Sequence, residues 1–504
     1  MKKNIRYLII MLAVLVVIGG GAAALLLTQP EPEETSSSST ASVDAISLIS
    51  RESEEVSTFS VTNTEGSFVI IPVDNSTTSQ EEDDSSSSST SLRFTVDGYQ
   101  GFDVDTASVT AAVNTTVLLS ASKELGEQDN LDQFGLSGQG VAQVTIQYTD
   151  GTSDQFTVGN EAGESVGRYL LVGGKVYVGS FSEVLLGTPL DFINTEIYSV
   201  PDRTEETVDS EGSSSTTTLS DVIYTMTLSG SHLEQPITIE SDTSKVSGYM
   251  VTSPMRAESG TNTLTEIVTA LKSLTADSVA ATGRTQENLE KYGLSEPYAQ
   301  VQFDMNGEEH TLAVSDVNSD GNRYLIADDL DVIFVVANDT VTSWADATLL
   351  DLRMSYVWLP NINDVSSMTI TMNGKDYRFD VEKVLNEEKS TEDEPSYDLV
   401  VTNGDGESVE YEIYQDLYQL LLSQAVLSVD TVTYDESAPV MSVTYQYFDG
   451  SDPDEIVYCP VEGQDERYAA LLNGQYSGMV RRTELQSVLE KVEPVYQNQP
   501  IEED

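Results

Sequence analysis

The sequence predicts an α+β protein in which an N-terminal transmembrane helix precedes three repeated units of mainly antiparallel sheet with short helices. Three observations predict this class. A long uncharged segment follows a basic N-terminus, apolar and polar residues alternate in runs bounded by turns, and one order of motifs recurs along the chain. With 504 residues and 39% apolar content the chain can form several cores, and ~150 residues per domain predicts about three.

The N-terminus predicts a membrane anchor at residues 1–27. Basic residues precede an uncharged stretch at 7–27. A helix of that length spans about 30 Å, which matches the hydrocarbon core of a bilayer, so we expect one membrane crossing through residues 7–27. Since positive charge stays on the cytoplasmic side, this predicts a single-pass cell-membrane protein whose N-terminus is cytoplasmic and whose bulk is extracellular. A cleaved signal peptide ending near Ala22-Ala23-Ala24 is the alternative.

Composition and repeats divide the remainder of the chain. Residues 28–42 are rich in Ser, Thr, Glu and Pro, which predicts a disordered stalk. Repeat units are predicted at 43–201, 219–360 and 361–497, with a linker at 202–218. Polar tracts at 75–91 and 386–395 are interpreted as long loops.

The repeat is defined by a Gly-Leu step, an alternating strand, a glycine turn and an Arg-Tyr pair. The third copy lacks the Gly-Leu step. A glycine that ends a short helix adopts the left-handed conformation without steric cost, so Gly135 and Gly293 are predicted helix caps. The motif residues are Phe134-Gly135-Leu136, Asp150-Gly151 and Arg168-Tyr169; Tyr292-Gly293-Leu294, Asn306-Gly307 and Arg323-Tyr324; and Asp449-Gly450 and Arg467-Tyr468.

Local patterns predict the other elements of each unit. Two alternating strands around a polar turn begin the units at 56–71, 222–239 and 365–381, which predicts hairpins. In the middle of each unit the apolar residues change to helical spacing, which predicts one amphipathic helix in each, and the second and third units show the pattern. The residues on those apolar helical faces are Leu264, Ile267, Val268 and Leu271, and then Leu417, Leu420 and Leu421.

These features resemble a bacterial family catalogued as domain of unknown function 4340 (DUF4340). The resemblance rests on the basic start with its single apolar helix, on Tyr292-Gly293-Leu294-Ser295-Glu296-Pro297 with the strand and turn after it, and on the Arg-Tyr strand. It covers most of the chain outside the anchor. Members look like membrane-anchored envelope proteins encoded near ABC-type transport components, so the resemblance implies ABC-type transporter subunits as partners and implies no reaction.

The charge balance argues against one class of partner. The chain has 84 Asp and Glu against 24 Lys and Arg, for a net charge of −60. Such a surface repels phosphate groups, so we expect no nucleic-acid partner. Cys459 is the only cysteine, which excludes an intramolecular disulfide and predicts a buried thiol.

Motifs for catalysis are weak, so we predict that the protein is not an enzyme and binds no cofactor. The sequence has no nucleophile elbow, phosphate-binding loop or dinucleotide fingerprint. The only histidines, His232 and His310, occupy non-equivalent places and cannot complete a zinc site with Cys459 unless carboxylates contribute. Ser120 and Lys123 have the spacing of a Ser/Lys pair but fall in a predicted strand, where positions three apart face opposite ways.

The best candidate metal site is a calcium loop formed by Asp316, Asn318 and Asp320, followed by Gly321. Alternating oxygen ligands of this kind can surround a hard cation. Ala327 stands where such a loop has a bidentate glutamate. A polar hairpin loop leading into the Arg323-Tyr324 strand is the alternative interpretation.

Two further residue sets have a functional and a structural interpretation. The arginines of the Arg-Tyr pairs could grip an anionic ligand in a cleft. We expect instead that each tyrosine fills the core while its arginine pairs with the acidic surface. Trp344 and Trp358 could form a glycan-stacking platform, and helix-to-sheet packing explains them equally well.

Together these observations predict a noncatalytic extracytoplasmic protein that is an accessory of an envelope ABC-type transport system. A cell-surface glycan or matrix binding protein is the alternative. A hydrolase that uses carboxylates alone is a third possibility, and it requires two carboxylates that converge in one pocket.

Overall fold

The computed structural model describes residues 45–73, 92–163, 167–208, 214–328, 330–386 and 396–501. The predicted anchor at 1–27, the stalk at 28–42 and the tract at 75–91 lie outside these residues. Within the described part of the chain, no helix is both long enough and apolar enough to span a bilayer.

The first main sheet contains nine strands in the order β1-β5-β9-β8-β7-β6-β2-β3-β4. Helix α1 (Thr106–Val117) contributes Val109 and Val113 to its core. Asp105 caps this helix, because its carboxylate accepts hydrogen bonds from the N–H groups of Ala107 and Ser108. The strands are β1 (Ile46–Ser47), β2 (Val56–Asn63), β3 (Ser67–Pro72), β4 (Phe94–Val96), β5 (Ser120–Gly126), β6 (Ala142–Tyr148), β7 (Ser153–Glu161), β8 (Arg168–Val172) and β9 (Lys175–Gly179).

A connecting region joins the first two sheets through β10 (Glu196–Ser199), β11 (Thr204–Val208) and β12 (Ser214–Thr218). The predicted linker at 202–218 therefore contains a two-stranded antiparallel ribbon, in which Thr204 pairs with Thr218. The sequence interpretation of this tract as a plain linker missed the β-branched threonines, which favour extended backbone even when both faces meet water.

The second main sheet has the order β16-β15-β14-β13-β19-β20-β21-β22-β18. Its strands are β13 (Ile223–Ser229), β14 (Ile237–Ser241), β15 (Tyr249–Ser253), β16 (Ala257–Glu258), β18 (Ser278–Thr282), β19 (Ala299–Met305), β20 (Glu308–Val314), β21 (Asn322–Ala327) and β22 (Val332–Ala337), with the short β17 (Ser273–Thr275) outside it. Its helices are α2 (Thr261–Leu271), α3 (Gln286–Lys291), α4 (Asn338–Ala345) and α5 (Leu349–Leu352).

The third main sheet has the order β26-β25-β24-β23-β27-β28-β29-β30. Its strands are β23 (Val365–Met372), β24 (Lys375–Leu385), β25 (Tyr397–Asn403), β26 (Ser408–Val409), β27 (Met441–Tyr447), β28 (Asp454–Pro460), β29 (Arg467–Leu472) and β30 (Gln475–Arg481). Two helices, α6 (Tyr411–Leu422) and α7 (Arg482–Tyr496), pack on one face of this sheet and share its core. Cys459 lies in a smaller apolar cluster with Ala469, Leu471 and Met479, on strands of the same sheet.

All three sheets contain the same run of antiparallel strands. It reads β9-β8-β7-β6-β2-β3-β4 in the first sheet, β22-β21-β20-β19-β13-β14-β15 in the second and β30-β29-β28-β27-β23-β24-β25 in the third. The predicted class of mainly antiparallel sheet with short helices is confirmed. The exact unit boundaries at 43–201, 219–360 and 361–497 stay predictions.

Side-chain periodicity explains how these elements form. Leu264, Ile267 and Leu271 are buried along one face of α2, as their helical spacing predicts. Full burial of each such side chain contributes about 1.5–3 kcal/mol. Gly135 and Gly293 end short helical turns with φ of +66° and +69°, which is the left-handed cap conformation.

The three sheets are joined by contacts that cross the predicted unit boundaries. Strand β10 pairs with β17, so Tyr198 stands opposite Leu274 and both belong to the second core. On β15, Val251 enters the second core and Met250 enters the third. Because adjacent strand residues point to opposite faces, one strand serves two cores.

Candidate functional site

The Arg-Tyr pair of the second unit corrects the sequence interpretation. Arg323 is buried and only 2% exposed, whereas Tyr324 is partly exposed. The guanidinium donates from Nε to Asn338 Oδ1 at 2.6 Å, from Nη1 to the carbonyl of Ser315 at 3.0 Å and from Nη2 to Asp346 Oδ1 at 2.7 Å. The prediction that tyrosine is the core member is wrong here, because α4 supplies polar partners on the face where Arg323 points.

The surroundings of Arg323 are electrostatically complementary. Its guanidinium carbon lies 4.5 Å from the ring centre of Tyr298. Burial acts to raise the pKa of Asp346, but the hydrogen bond from Thr342 and the charge of Arg323 outweigh it, so that pKa lies below its ordinary value. Nε, Nη1 and Nη2 of Arg323 each already donate to a protein acceptor, which favours a structural role over capture of an external anion.

The other two copies of the pair differ from the second. In the first unit, Arg168 donates from Nε and Nη2 to the two carboxylate oxygens of Glu183 at 2.7 and 2.8 Å, a bidentate pair close to the surface. In the third unit, Tyr468 is buried and Arg467 is partly exposed, as the sequence predicts. The three arginines therefore do not form equivalent sites.

Aromatic packing explains why the Gly-Leu step and the Arg-Tyr pair occur together. Phe134 and Tyr169 make an edge-to-face contact with ring centres 4.8 Å apart. Tyr292 and Tyr324 repeat it at 4.7 Å. Such pairs contribute about 0.5–1.5 kcal/mol beyond their burial. The repeated motif thus fixes a short helical turn against the sheet.

The predicted calcium loop is folded by its own hydrogen bonds. Asn318 Oδ1 accepts from the N–H groups of Asp320 and Asn322 at 2.9 and 3.1 Å, and Asp316 Oδ1 accepts from the N–H of Val317 at 2.7 Å. Side chains of this type commonly close turns in this way. No group of three or more His, Cys, Asp or Glu side chains in the described residues is arranged to hold a metal ion. Calcium binding at these positions stays a prediction.

The two histidines have separate environments. His310 Nδ1 lies 2.8 Å from Asp328 Oδ2, and its ring stacks on Tyr198 with ring centres 4.2 Å apart. His232 Nδ1 lies 2.7 Å from the carbonyl oxygen of Tyr298, on whose ring it stacks. His232 Nε2 is buried without a hydrogen-bond partner among the described residues.

The remaining sequence candidates have structural surroundings. Trp344 and Trp358 are buried in the second and third cores, so neither ring presents an open face to a glycan. Ser120 and Lys123 both lie on β5, where Lys123 is exposed. Burial raises the pKa of the Cys459 thiol, which makes it a weak nucleophile.

A cleft of about 540 Å³ lies between residues of the second and third sheets, and we name it the interunit cleft. Its walls include His232 and Glu234 from the loop before β14, Thr348 before α5, and Asp430 and Tyr476 from the third unit. The Tyr476 hydroxyl donates to the carbonyl of Asp430 at 2.9 Å. Sequence reasoning missed this cleft, because its walls come from segments far apart in the chain.

Arg353 is a second buried arginine at the junction of these two sheets. It is 2% exposed and donates to the carbonyl oxygens of Ser477 and Tyr356, the latter at 2.8 Å. Its Nε has no hydrogen-bond partner among the described residues. Burial lowers the pKa of Arg353 to about 10. This residue therefore connects the second unit to β30 at an electrostatic cost.

The end of the β24–β25 hairpin extends beyond its neighbours in the third sheet. The β23 register with β24 runs from Met372↔Lys375 to Ser367↔Asp380, so it stops before residue 381. Residues 382–385 and 397–400, which we name the third-sheet ribbon, pair with each other from Glu382↔Val400 to Leu385↔Tyr397. The ribbon's exposed apolar side chains, Val384, Leu385, Tyr397 and Val400, are between 43% and 50% accessible.

Both faces of the third-sheet ribbon carry exposed apolar side chains beside the charged Glu382, Lys383 and Asp398. Leu385 and Tyr397 continue the face that carries the buried Val381 and Val401, and Val400 lies on the opposite face. Lys383 Nζ lies 4.5 Å from the ring centre of Phe448 and partly covers that ring. Natural sheets usually protect such edges, so an exposed apolar ribbon indicates a contact surface.

Comparison with known families identifies part of the chain. Residues 250–439 match the model of a family described as Domain of unknown function (DUF4340). This segment of the chain is similar to DUF4340. The family resemblance predicted from the sequence is confirmed, although the match extends from β15 into the third unit and does not cover most of the repeats. No curated protein and no solved structure is significantly similar to the chain.

The DUF4340 match covers the junction of the second and third units. It contains Arg353, the third-sheet ribbon and the Thr348 and Asp430 walls of the interunit cleft. His232, Glu234 and Tyr476 lie outside it. The matched region therefore includes both the exposed ribbon and one side of the cleft.

Proposed function

We propose that the protein is a noncatalytic, extracytoplasmic binding module that is anchored in the cell membrane through residues 7–27. In this proposal it is an accessory of an envelope ABC-type transport system and acts through protein contacts. The observation that carries the proposal is the third-sheet ribbon, which lies within the DUF4340 match and exposes apolar residues on both faces.

The ribbon fits a partner that adds a β-strand. On one edge of the ribbon, the pairing of β24 with β23 ends at residue 380. On the other edge, β26 pairs with β25 only at Val401 and Thr402. An incoming strand can pair with such an edge through backbone hydrogen bonds, while its alternate side chains cover the exposed apolar residues. The partner class, an ABC-type transporter subunit, is supported by the family resemblance.

Site-specific photo-crosslinking in intact cells tests this proposal. A photoreactive amino acid replaces Tyr397 in the ribbon, and a matched one replaces Tyr224 on β13, which is 40% exposed in the second sheet. Crosslinked partners are then identified by mass spectrometry. Transporter membrane subunits captured from position 397 and not from position 224 are the expected result. Capture of only a second copy of the chain, or equal capture from both positions, contradicts the proposal.

A charge substitution provides a second test of the same surface. Val400→Lys places a charge on the exposed outer face of the ribbon without touching the core, so we expect at least a tenfold loss of partner recovery. Leu118→Lys is the control, because Leu118 is 61% exposed in the first unit. Equal recovery with Val400→Lys and Leu118→Lys would exclude the ribbon as the contact surface.

A further inference from the structure

We propose that a pocket at the start of α7 binds the phosphate group of an external ligand. Arg467, Arg481 and Arg482 line this pocket, and we name it the arginine pocket. Its volume of about 320 Å³ lies within the size range of small-ligand sites. Lys and Arg together number only 24 in 504 residues, so the convergence of three arginines on one pocket calls for a physical explanation.

Two of the three arginines stand directly opposite each other. Arg467 at the start of β29 pairs with Arg481 at the end of β30 in the antiparallel register. Residues paired in this way project from the same face of a sheet with Cβ atoms about 4.5–5.5 Å apart, and like charges there are destabilising. An anion bound between the two guanidinium groups would replace this repulsion with attraction.

The equivalent arginines of the first two units are neutralised from inside the chain. Arg168 donates to both carboxylate oxygens of Glu183, which lies in the short helical turn after β9. Arg323 donates to Asp346, which directly follows α4. The residues opposite these two arginines are the uncharged Gly179 and Val336. In both units, therefore, a carboxylate from the segment after the last strand compensates the arginine.

The third unit places a cation in the segment that supplies this carboxylate in the other two. The helix after β30 begins with Arg482. Within the described part of the chain, the Arg467 side chain makes no ion pair and no hydrogen bond. Because Arg467 is also partly exposed, its guanidinium can be reached by a ligand and can donate to an external oxyanion.

The carboxylates beside the pocket leave these donors available. Asp465 and Glu466 also line it, but both are exposed, and among the described residues neither forms an ion pair with an arginine. Glu484 Oε1 lies 3.5 Å from Arg481 Nη1, which is longer than a strong charge-assisted hydrogen bond. Arg482 Nη1 donates to the carbonyl of Asp465 at 3.0 Å, and this contact holds the third arginine beside the pocket.

A phosphate group fits these donors better than a carboxylate does. Each guanidinium presents a planar fork of N–H donors, and a terminal phosphate offers three acceptor oxygens where a carboxylate offers two. No side chain caps the N-terminus of α7, so the N–H groups of its first turn add to the positive potential. At about 0.1 M ionic strength the Debye length is about 10 Å, so most of the distant acidic charge is screened and the local arginines decide binding.

Calorimetric titration of the purified full-length protein with inorganic phosphate tests the proposal. Acetate serves as the carboxylate for comparison. We expect phosphate to bind at least tenfold more tightly than acetate. An affinity for acetate within tenfold of that for phosphate, or no detectable binding of phosphate, would overturn the proposal.

Three substitutions by glutamine locate the binding site. Arg467→Gln and Arg481→Gln should each weaken phosphate binding by at least tenfold, and the Arg481 side chain is 59% exposed, so its replacement leaves the core intact. Arg378→Gln is the matched control, because this arginine of the same unit already donates to Asp380, and it should change the affinity less than twofold. Equal losses with Arg378→Gln and Arg467→Gln would show diffuse attraction and overturn the assignment.

Two phosphate esters distinguish the sources of the phosphate group. Tighter binding of glycerophosphoglycerol, a diester, than of glycerol 3-phosphate, a monoester, would assign the pocket to a lipid head group. The reverse order would assign it to a soluble phosphate ester. Since the arginine pocket does not include the third-sheet ribbon, Arg467→Gln should leave crosslinking from position 397 unchanged, and the two proposals can fail separately.

Discussion

Replacing Arg323 with methionine should destabilise the second unit by about 3 kcal/mol. Methionine retains an apolar stem but removes the donors to Asn338, Ser315 and Asp346. Breaking a buried charge pair costs about 3–5 kcal/mol. The Asp346 side chain is 37% exposed, so water can hydrogen-bond to its carboxylate once the contact with Arg323 is lost. We therefore expect a destabilisation at the lower end of the range for a buried charge pair.

Tryptophan fluorescence can report this change from inside the affected core. The chain has two tryptophans, so a Trp358→Phe reference leaves Trp344 as the single reporter. Trp344 lies on α4 within the second core, close in sequence to Asp346. Urea titration of the reference and of the same chain with Arg323→Met gives the difference in unfolding free energy, provided that the slopes agree.

Two further variants determine whether the reasoning is correct. Arg323→Lys keeps the charge but loses the forked geometry. Its unfolding free energy should therefore lie between those of the reference and of Arg323→Met. Arg467→Met, at the partly exposed equivalent in the third unit, should shift the Trp344 transition by less than about 0.5 kcal/mol. A loss below about 1 kcal/mol for Arg323→Met would refute the assignment of a structural charge network.

Three other predictions follow from the same structure. Arg353→Met should leave the unfolding free energy within about 1 kcal/mol of its value or raise it, because burial of the Arg353 charge, which lowers its pKa to about 10, costs about 3 kcal/mol. Urea titration measures this. Since the Asp346 pKa lies below its ordinary value of 3.8, its contribution to the unfolding free energy is present above that pH and lost as pH falls through the lower folded value. Acid unfolding curves of Arg323→Met should show a smaller component of this kind, because the hydrogen bond from Thr342 remains. Cys459 should react with iodoacetamide only in denaturant, and rapid labelling of the folded protein would contradict its burial.

Local sequence patterns were sufficient to predict the sheet-rich class. Alternation at 56–71 corresponds to β2 and β3, and helical spacing from Leu264 to Leu271 corresponds to α2. These patterns succeed because each depends on which side of a strand or helix faces a core, and that side is fixed by neighbours close in sequence. The Gly135 and Gly293 caps succeed for the same reason.

Features that depend on distant segments could not be predicted in this way. Alternation shows that Arg323 and Tyr324 face opposite ways, but not which face receives Asn338 and Asp346 from α4. The interunit cleft needs His232 and Asp430 to meet across two sheets. The ribbon had a partial signal, since the alternation of β24 continues beyond the length of β23, but only the register shows where pairing stops.

Met250 has a consequence for how relatives of this chain can change. Its side chain leaves a strand of the second sheet and enters the third core. A shorter residue there would open a void in a core built largely by another repeat. We therefore expect the residue type at this position to covary with its third-core neighbours, so that one repeat carries an evolutionary constraint imposed by the next.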